Sequence, residues 1–275
     1  MGLRFDKMHG AGNYFVMLDL RGGAEPPSRA VTQKLGDRHF GVGCDQIISI
    51  EDPVEPGTVA SYRIWNSDGS IAGQCGNGAR CVAAWVEREL QLPAGEPFVL
   101  SSPAGLHEVL PLGKGYYQVA MGVPSFDPRQ VPLGAQIEHE ALTYPFRDFE
   151  FSAVSMGNPH AVIVVPEAFM ADVMEVGDAM QMSPLFPQSV NVGFAQVVSR
   201  NELYLRVYER GAGETLACGS GACAAVAALV RRDMLDRKVS VALPGGRLQI
   251  EWPADDQPIR MSGPTAFVFQ GELIV

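Results

Sequence analysis

The sequence predicts an α+β protein of two pseudo-symmetric lobes, each a strongly curved, mostly antiparallel sheet wrapped around one central helix. Three observations carry that expectation. The first is an internal copy within the 275 residues. Arg63-Ile64-Trp65-Asn66 runs on through eight residues to Cys75-Gly76-Asn77-Gly78-Ala79. Arg206-Val207-Tyr208-Glu209 runs on through eight residues to Cys218-Gly219-Ser220-Gly221-Ala222, 143 positions later and without a gap. Gly12-Asn13 matches Gly157-Asn158, and Gln46 matches Asn191, both at an offset of 145. A period near half the chain means two homologous lobes, since solenoid repeats are about 20–50 residues long. The second observation is the prevalence of short β-branched runs punctuated by Gly, Pro and Asp. The third is that only two stretches read as helices, one of them apolar almost all round, as suits a helix enclosed by a sheet.

Taken in chain order, Tyr14–Leu18 and Gln46–Ile50 read as strands by their β-branched and aromatic content. A helix is expected from Gly76 to about Glu89. The stretch Gly113 to Pro132 is the candidate lobe boundary. Ala161–Val165 and Leu203–Tyr208 read as further strands, and the second helix is expected from Gly219 to about Asp233. The lobes are assigned as residues 1–118 with 263–275, carrying Cys75, and 119–262, carrying Cys218.

A chain that is 47% hydrophobic supports a packed core. Its net charge of −10 and pI near 5.0 argue against a nucleic-acid partner, whose footprint would be basic. No run approaches the ~18 apolar residues of a membrane span, and the opening Met1-Gly2-Leu3-Arg4-Phe5-Asp6-Lys7 lacks the apolar core of a secretory signal. A cytoplasmic protein is therefore expected.

Five cysteines are an odd number: Cys44, Cys75, Cys81, Cys218 and Cys223. Reduced thiols are the default for such a set. Cys75 and Cys81, like Cys218 and Cys223, are spaced too widely for the usual zinc-ligand pair and point apart on a helix. No metal is expected, and Cys81 and Cys223 read as small apolar residues on a buried face. Nor is a nucleotide site expected: Cys75-Gly76-Asn77-Gly78-Ala79-Arg80 lacks the Lys-Ser/Thr of a P-loop, and the glycines form no dinucleotide fingerprint.

Cys75 and Cys218 each sit where a loop turns into a helix. The first N–H groups of a helix have no intrahelical partner, and its dipole favours anions there. Such a start is expected to lower the pKa of the thiol and to hold a substrate carboxylate. Donors aimed at that carboxylate would stabilise the enolate-like charge that forms when its α-carbon is deprotonated. Equivalent residues of two homologous lobes can meet across a pseudo-twofold cleft, which would set the two thiols on opposite faces of one carbon. That arrangement suits proton transfer from one face to the other.

These motifs resemble the diaminopimelate epimerase family, and the resemblance covers essentially the whole chain. It rests on Asn66-Ser67-Asp68-Gly69-Ser70 with Cys75-Gly76-Asn77-Gly78-Ala79-Arg80, on Glu209-Arg210-Gly211-Ala212-Gly213-Glu214-Thr215 with Cys218-Gly219-Ser220-Gly221-Ala222-Cys223, on Lys7-Met8-His9-Gly10-Ala11-Gly12-Asn13, and on Asp45-Gln46. Tyr14 stands where the family usually shows Asp. The resemblance implies the diaminopimelate epimerase-like fold and cofactor-independent conversion of LL-2,6-diaminopimelate to the meso form, in lysine and peptidoglycan precursor synthesis. It implies Cys75 and Cys218 as the acid–base pair, with Cys218 taking the α-proton of the LL substrate and Cys75 returning one. Gly76, Asn77, Gly219 and Ser220 would hold the reacting carboxylate. Asn13, Gln46, Asn66, Asn158, Asn191, Glu209 and Arg210 would bind the rest, the Arg forking onto the distal carboxylate. His160 and Glu209 would tune which thiol is ionised. The loops carrying Asn13 and Gln46 would act as lids. No cofactor is implied, and a homodimer is, with Phe269 of the C-terminal strand in its interface. The alternative is a related two-cysteine racemase acting on hydroxyproline or histidine, and a non-catalytic binding protein or a thiol redox protein fits less well: the first would not need both cysteines, the second predicts a Cys-x-x-Cys motif that is lacking.

Overall fold

The order of elements in the first half of the chain recurs in the second. In the computed structural model, which describes residues 2–73 and 75–274, the first half runs β1 (Gly2–Gly10), β2 (Asn13–Asp19), α1 (Arg29–Gly36), β3 (Gln46–Glu51), β4 (Ala60–Asn66), β5 (Ile71–Ala72), α2 (Gly76–Glu89), β6 (Phe98–Ser102), β7 (Gly105–Gly113) and β8 (Tyr116–Ala120). The second half runs β9 (Tyr144–Phe146), β10 (Phe149–Ser155), β11 (Pro159–Val164), α3 (Val173–Gln181), β12 (Asn191–Ser199), β13 (Glu202–Glu209), β14 (Gly213–Thr215), α4 (Gly219–Arg231), β15 (Lys238–Leu243), β16 (Gly246–Glu251) and β17 (Arg260–Pro264). The last strand, β18 (Ala266–Ile274), returns to pair antiparallel with β1. Two units result: Met1–Ala120 with Ser262–Val275, and Met121–Met261.

Strand pairing repeats along with element order. β2 pairs parallel with β3, β3 antiparallel with β4, and β4 parallel with β6. In the second unit β11 pairs parallel with β12, β12 antiparallel with β13, and β13 parallel with β15. Even the register is copied: Phe15 lies opposite Gln46, and His160 opposite Asn191. Both sheets are thus mostly antiparallel, with parallel pairs where the chain crosses over.

Each unit encloses its helix. α2 is buried from Gly76 through Val86 and packs on β1, β2, β3, β7 and β8. Its far end is tied to β1, where Asp6 accepts from Trp85 Nε1 at 2.9 Å and from Arg88 Nη2 at 3.0 Å. α4 is rich in Ala, is buried along nearly its whole length and packs on β10, β11, β12 and β16. Alanine suits this position because it has the highest helix propensity and lets the sheet approach closely. α4 ends at Arg231, two residues short of the expected Asp233. Asp233 takes a left-handed φ of 55°, which turns the chain out of the helix.

Two helices were not foreseen. α1 buries only Thr32, Leu35 and Gly36, too narrow a stripe to read, and is capped by the Ser28 hydroxyl. α3 buries Val173, Val176, Gly177 and Met180, which is helical spacing, but so short a run does not stand out between Met and Glu. No helix among the described residues is long and apolar enough to cross a membrane.

Candidate active site

In the first unit the site is built from a hairpin turn, two strand starts and a helix start. Ala11 and Gly12 both take positive φ, 51° and 82°, closing a two-residue turn of the kind that matches strand twist. The turn delivers Asn13 as the first residue of β2. Asn13 Nδ2 donates to Asp45 Oδ2 at 2.8 Å, and Asn13 Oδ1 accepts from Asn77 Nδ2 at 3.3 Å and from the Cys75 thiol at 3.6 Å. Cys75 is the N-cap of α2, and its sulfur accepts from the Gly78 N–H at 3.4 Å. Gly78 leaves room for Ile48 on β3, since a Cβ there would sit 2.8 Å from Ile48 Cδ1. Asn77 is fixed from behind by Arg80, wholly buried, whose Nη2 donates to Asn77 Oδ1 at 3.0 Å.

Gln46 and Asn66 sit opposite each other on β3 and β4, joined by Gln46 Nε2 to Asn66 Oδ1 at 3.1 Å. Asn66 Nδ2 in turn donates to Ser70 at 3.0 Å. Gln46 Oε1 is buried without a hydrogen-bond partner, so a lone-pair acceptor stands ready for a ligand donor.

The second unit repeats the plan with different chemistry. Cys218 caps α4 and is buried, its sulfur 3.6 Å from the Ser220 hydroxyl. Ser220 accepts from Asn158 Nδ2 at 3.4 Å, and Asn158 Oδ1 accepts from His160 Nε2 at 2.9 Å. Burial, with Arg210 adding repulsion, pushes His160 down to about 3, so the imidazole is neutral. Asn191 donates to the Pro159 carbonyl at 3.1 Å and accepts from the Arg210 N–H at 2.9 Å. The Arg210 guanidinium reaches the Gln188 carbonyl at 3.1 Å. Glu209 accepts from Thr215 Oγ1 at 2.5 Å.

The protonation state of Cys218 departs from expectation. The Ser220 hydroxyl and the Gly221 N–H do favour the thiolate, as a helix start should. Burial outweighs them, and the Glu209 carboxylate beside the thiol adds to it, so the group is pushed well above its ordinary value. The proton stays on sulfur with Glu209 as its acceptor. None of the five cysteines is in a disulfide. Burial raises Cys44 to about 12 and lifts Cys81 as well, which makes both inert fillers.

Asn13, Gln46, Asn66, Cys75, Gly76 and Asn77 thus gather in the first unit. Asn158, His160, Asn191, Glu209, Arg210, Cys218, Gly219 and Ser220 gather in the second. Phe269 lies on β18, where its ring meets Phe5 edge-on at 5.9 Å. Sequence reasoning did not single out Arg80, Ser70 or Thr215. Arg80 was the visible one: an arginine within the apolar run of a helix otherwise destined for burial.

The family model for diaminopimelate epimerase matches residues 5–126 and 152–268. The chain belongs to the diaminopimelate epimerase family. Within the family, a diaminopimelate epimerase of Xanthomonas axonopodis pv. citri (strain 306) is 57% identical over 274 residues, covering 98% of this chain and 96% of the relative. One from Xylella fastidiosa (strain M12) is 52% identical over 272 residues, covering 98% and 95%. The fold extends beyond the family. A solved hydroxyproline epimerase from Agrobacterium vitis superposes with a TM-score of 0.70 at 12% identity, covering 99% of this chain and 92% of that one.

Proposed function

We propose that this member of the diaminopimelate epimerase family carries out cofactor-independent epimerisation of LL-diaminopimelate to the meso form, with Cys75 and Cys218 as its acid–base pair. One observation carries the assignment: each unit places a cysteine at the start of its buried helix, within reach of a cradle of side-chain amide or hydroxyl groups. In the LL-to-meso direction the Cys218 proton passes to Glu209. The thiolate then takes the α-proton, and Cys75 gives its own proton to the opposite face of the carbon. The chemical step leaves Cys218 and Glu209 protonated and Cys75 as thiolate; Glu209 then gives its proton to solvent and Cys75 takes one from solvent, which restores the starting state. Proton transfer of this kind is worth about 10²–10⁴-fold in rate.

The amide set supports the choice of substrate. Gln46 Oε1 can accept from an ammonium, and Arg210 can fork onto a distal carboxylate. A site built to pair with a second amino-acid head group rejects substrates without one, because its polar groups would be left unpaired. The neutral His160 orients Asn158, which reaches Cys218 through Ser220. Thiol chemistry requires a reducing compartment, so we place the protein in the cytoplasm. We also propose a homodimer formed through β18, whose Phe267, Val268 and Phe269 expose apolar surface.

The test is α-proton exchange in deuterium oxide. LL-diaminopimelate should gain one deuterium as it is converted, whereas hydroxyproline and histidine should gain none. Cys75→Ala and Cys218→Ala should each lose conversion by about 10²-fold or more while remaining folded. Conversion within tenfold of the unaltered protein in either variant would overturn the two-base assignment.

A further inference from the structure

We infer that Asp45 is a positioning residue for the first thiol: its carboxylate locks the Asn13 side chain so that the carbonyl, and not the NH₂, faces Cys75. The inference rests on the reading of Cys75 as an acid–base group. An amide side chain has two ends of nearly equal shape and opposite polarity. A carboxylate only accepts hydrogen bonds, so the end of Asn13 that lies 2.8 Å from Asp45 Oδ2 must be the donor. The same carboxylate oxygen accepts from the Tyr14 N–H at 3.1 Å, which fixes it against the strand start. Rotating the amide would bring its carbonyl against that oxygen. The other end, 3.6 Å from the Cys75 sulfur and 3.3 Å from Asn77 Nδ2, is therefore the carbonyl.

A carbonyl facing the sulfur accepts from the thiol and repels the thiolate. It holds Cys75 as a proton donor, the form required to complete the LL-to-meso reaction. The lock exists in one half only. At the offset that aligns Gln46 with Asn191, the position of Asp45 is taken by Val190. The copied amide, Asn158, is instead held at its carbonyl end by His160, and it presents NH₂ to Ser220. The duplicated asparagines thus show opposite ends to their respective helix starts, an asymmetry suited to a pair of which one is base and the other acid.

The anchor is itself fastened. Asp45 Oδ1 pairs with Arg38 at 3.2 Å, leaving Oδ2 to Asn13. Arg38 and Lys7 both lie over the Tyr14 ring, at 5.4 and 4.8 Å, and Lys7 donates to the Gly43 carbonyl two residues before Asp45. Around Cys75 itself, Tyr62 and Cys81 are kept neutral by burial, and Arg80 is engaged with Asn77. Around Asp45 the charged or titratable neighbours are Arg38, Lys7, Tyr14 and Cys44.

The test reads the ionisation of Cys75 without turnover. The pH dependence of iodoacetamide modification is followed by mass spectrometry of the Cys75 peptide. In Asp45→Asn the Asn13 carbonyl is held toward sulfur by the 3.3 Å bond from Asn77 Nδ2 without the carboxylate behind it, so the amide can turn to donate to sulfur and the midpoint should fall by about one pH unit. The charge lost at Asp45 also lowers the midpoint directly, and a double-variant cycle separates the two effects. If Asp45 acts through Asn13, Asp45→Asn should lower the midpoint by more in the unaltered protein than in the Asn13→Ala background, where only the direct effect of the charge remains. An unchanged midpoint in Asp45→Asn overturns the inference, as does an equal fall with and without Asn13. Asp45→Ser serves if the Asn variant fails to fold by near-ultraviolet circular dichroism. The alkylation curve is independent of substrate, so a protein inactive on diaminopimelate would refute the proposed function and leave this test readable.

Discussion

At Cys218 a helix start and a carboxylate pull in opposite directions, and the carboxylate together with burial prevails. Glu209→Gln removes the charge that holds the proton on sulfur. The Cys218 alkylation midpoint should fall by about one to two pH units. Turnover should also fall, by about 10²-fold, because the variant has lost the group that receives the proton. A midpoint equal to that of the unaltered protein would show that Glu209 does not govern the thiol. Arg210 is next to it in sequence but different in role. Arg210→Lys replaces a planar fork by a point charge and should cost about 1.5–3 kcal/mol of kcat/KM; an unchanged kcat/KM would place Arg210 outside the substrate contacts. His160 supplies a pH dependence of stability. Its folded pKa, about 3, lies below the ordinary 6.5, so the unfolded chain binds the extra proton. Its contribution is complete above pH 6.5 and is lost progressively as pH falls toward 3. Urea midpoints for the unaltered protein and His160→Gln should therefore converge on acidification, by about 1.4 kcal/mol per pH unit below pH 6. Parallel curves would mean that His160 is not buried neutral.

Elements were legible in proportion to how strongly their residues were duplicated or periodic. The expected helix over Gly76–Glu89 coincides with α2, because a capping cysteine and a glycine pair mark its start and an apolar run follows. The strands at Gln46 and Leu203 fall within a residue of their places because the first is a buried isoleucine-rich run and the second alternates buried Leu203, Leu205 and Val207 with less buried residues. α3 escaped notice for a tertiary reason. Its defining residue is Gly177, a poor helix former, present because the Tyr208 ring lies against the backbone there. A Cβ at Gly177 would sit 2.5 Å from Tyr208 Cγ and 2.7 Å from its Cβ. No local pattern announces such a contact. Gly177→Ala should push α3 from β13, break the 2.8 Å bond from Tyr208 Oη to Asp178, and cost about 1–3 kcal/mol despite the better helix propensity of alanine. A urea midpoint equal to or above that of the unaltered protein would show that the helix shifts without strain. The site followed the same rule: the residues aligned between halves could be read, whereas Arg80 and Thr215, which act on Asn77 and Glu209 where the two halves differ, were not singled out.

For the whole molecule, the duplication accounts for two units, and β18 takes beside β1 the place that the much shorter β9 takes beside β10. β18 pairs with β1 along its length, Gly2 opposite Ile274 and Lys7 opposite Phe269. Gly271 lets it lie flat on Phe5, since a Cβ there would sit 2.6 Å from the ring. Beside exposed Gln270 and Glu272 it turns three apolar residues outward: Phe267 is 39% exposed, Val268 54% and Phe269 49%. The register shifts at Val268, between the Lys7–Phe269 and Met8–Phe267 pairs, so the regular alternation of faces is interrupted there. Three consecutive large apolar side chains on a final strand are a costly surface for a monomer and a useful one for a second copy. Phe269→Asp places a charge in the middle of that surface. Phe269 is 49% exposed and its ring meets the edge of Phe5, so the fold should survive. Sedimentation velocity should show the unaltered protein as a dimer and the variant as a monomer at micromolar concentration. Phe169→Asp is the control, because Phe169 is 87% exposed on a short turn of the other unit and should leave the dimer intact. A dimer that persists in Phe269→Asp, or one lost equally in the control, would remove β18 from the interface.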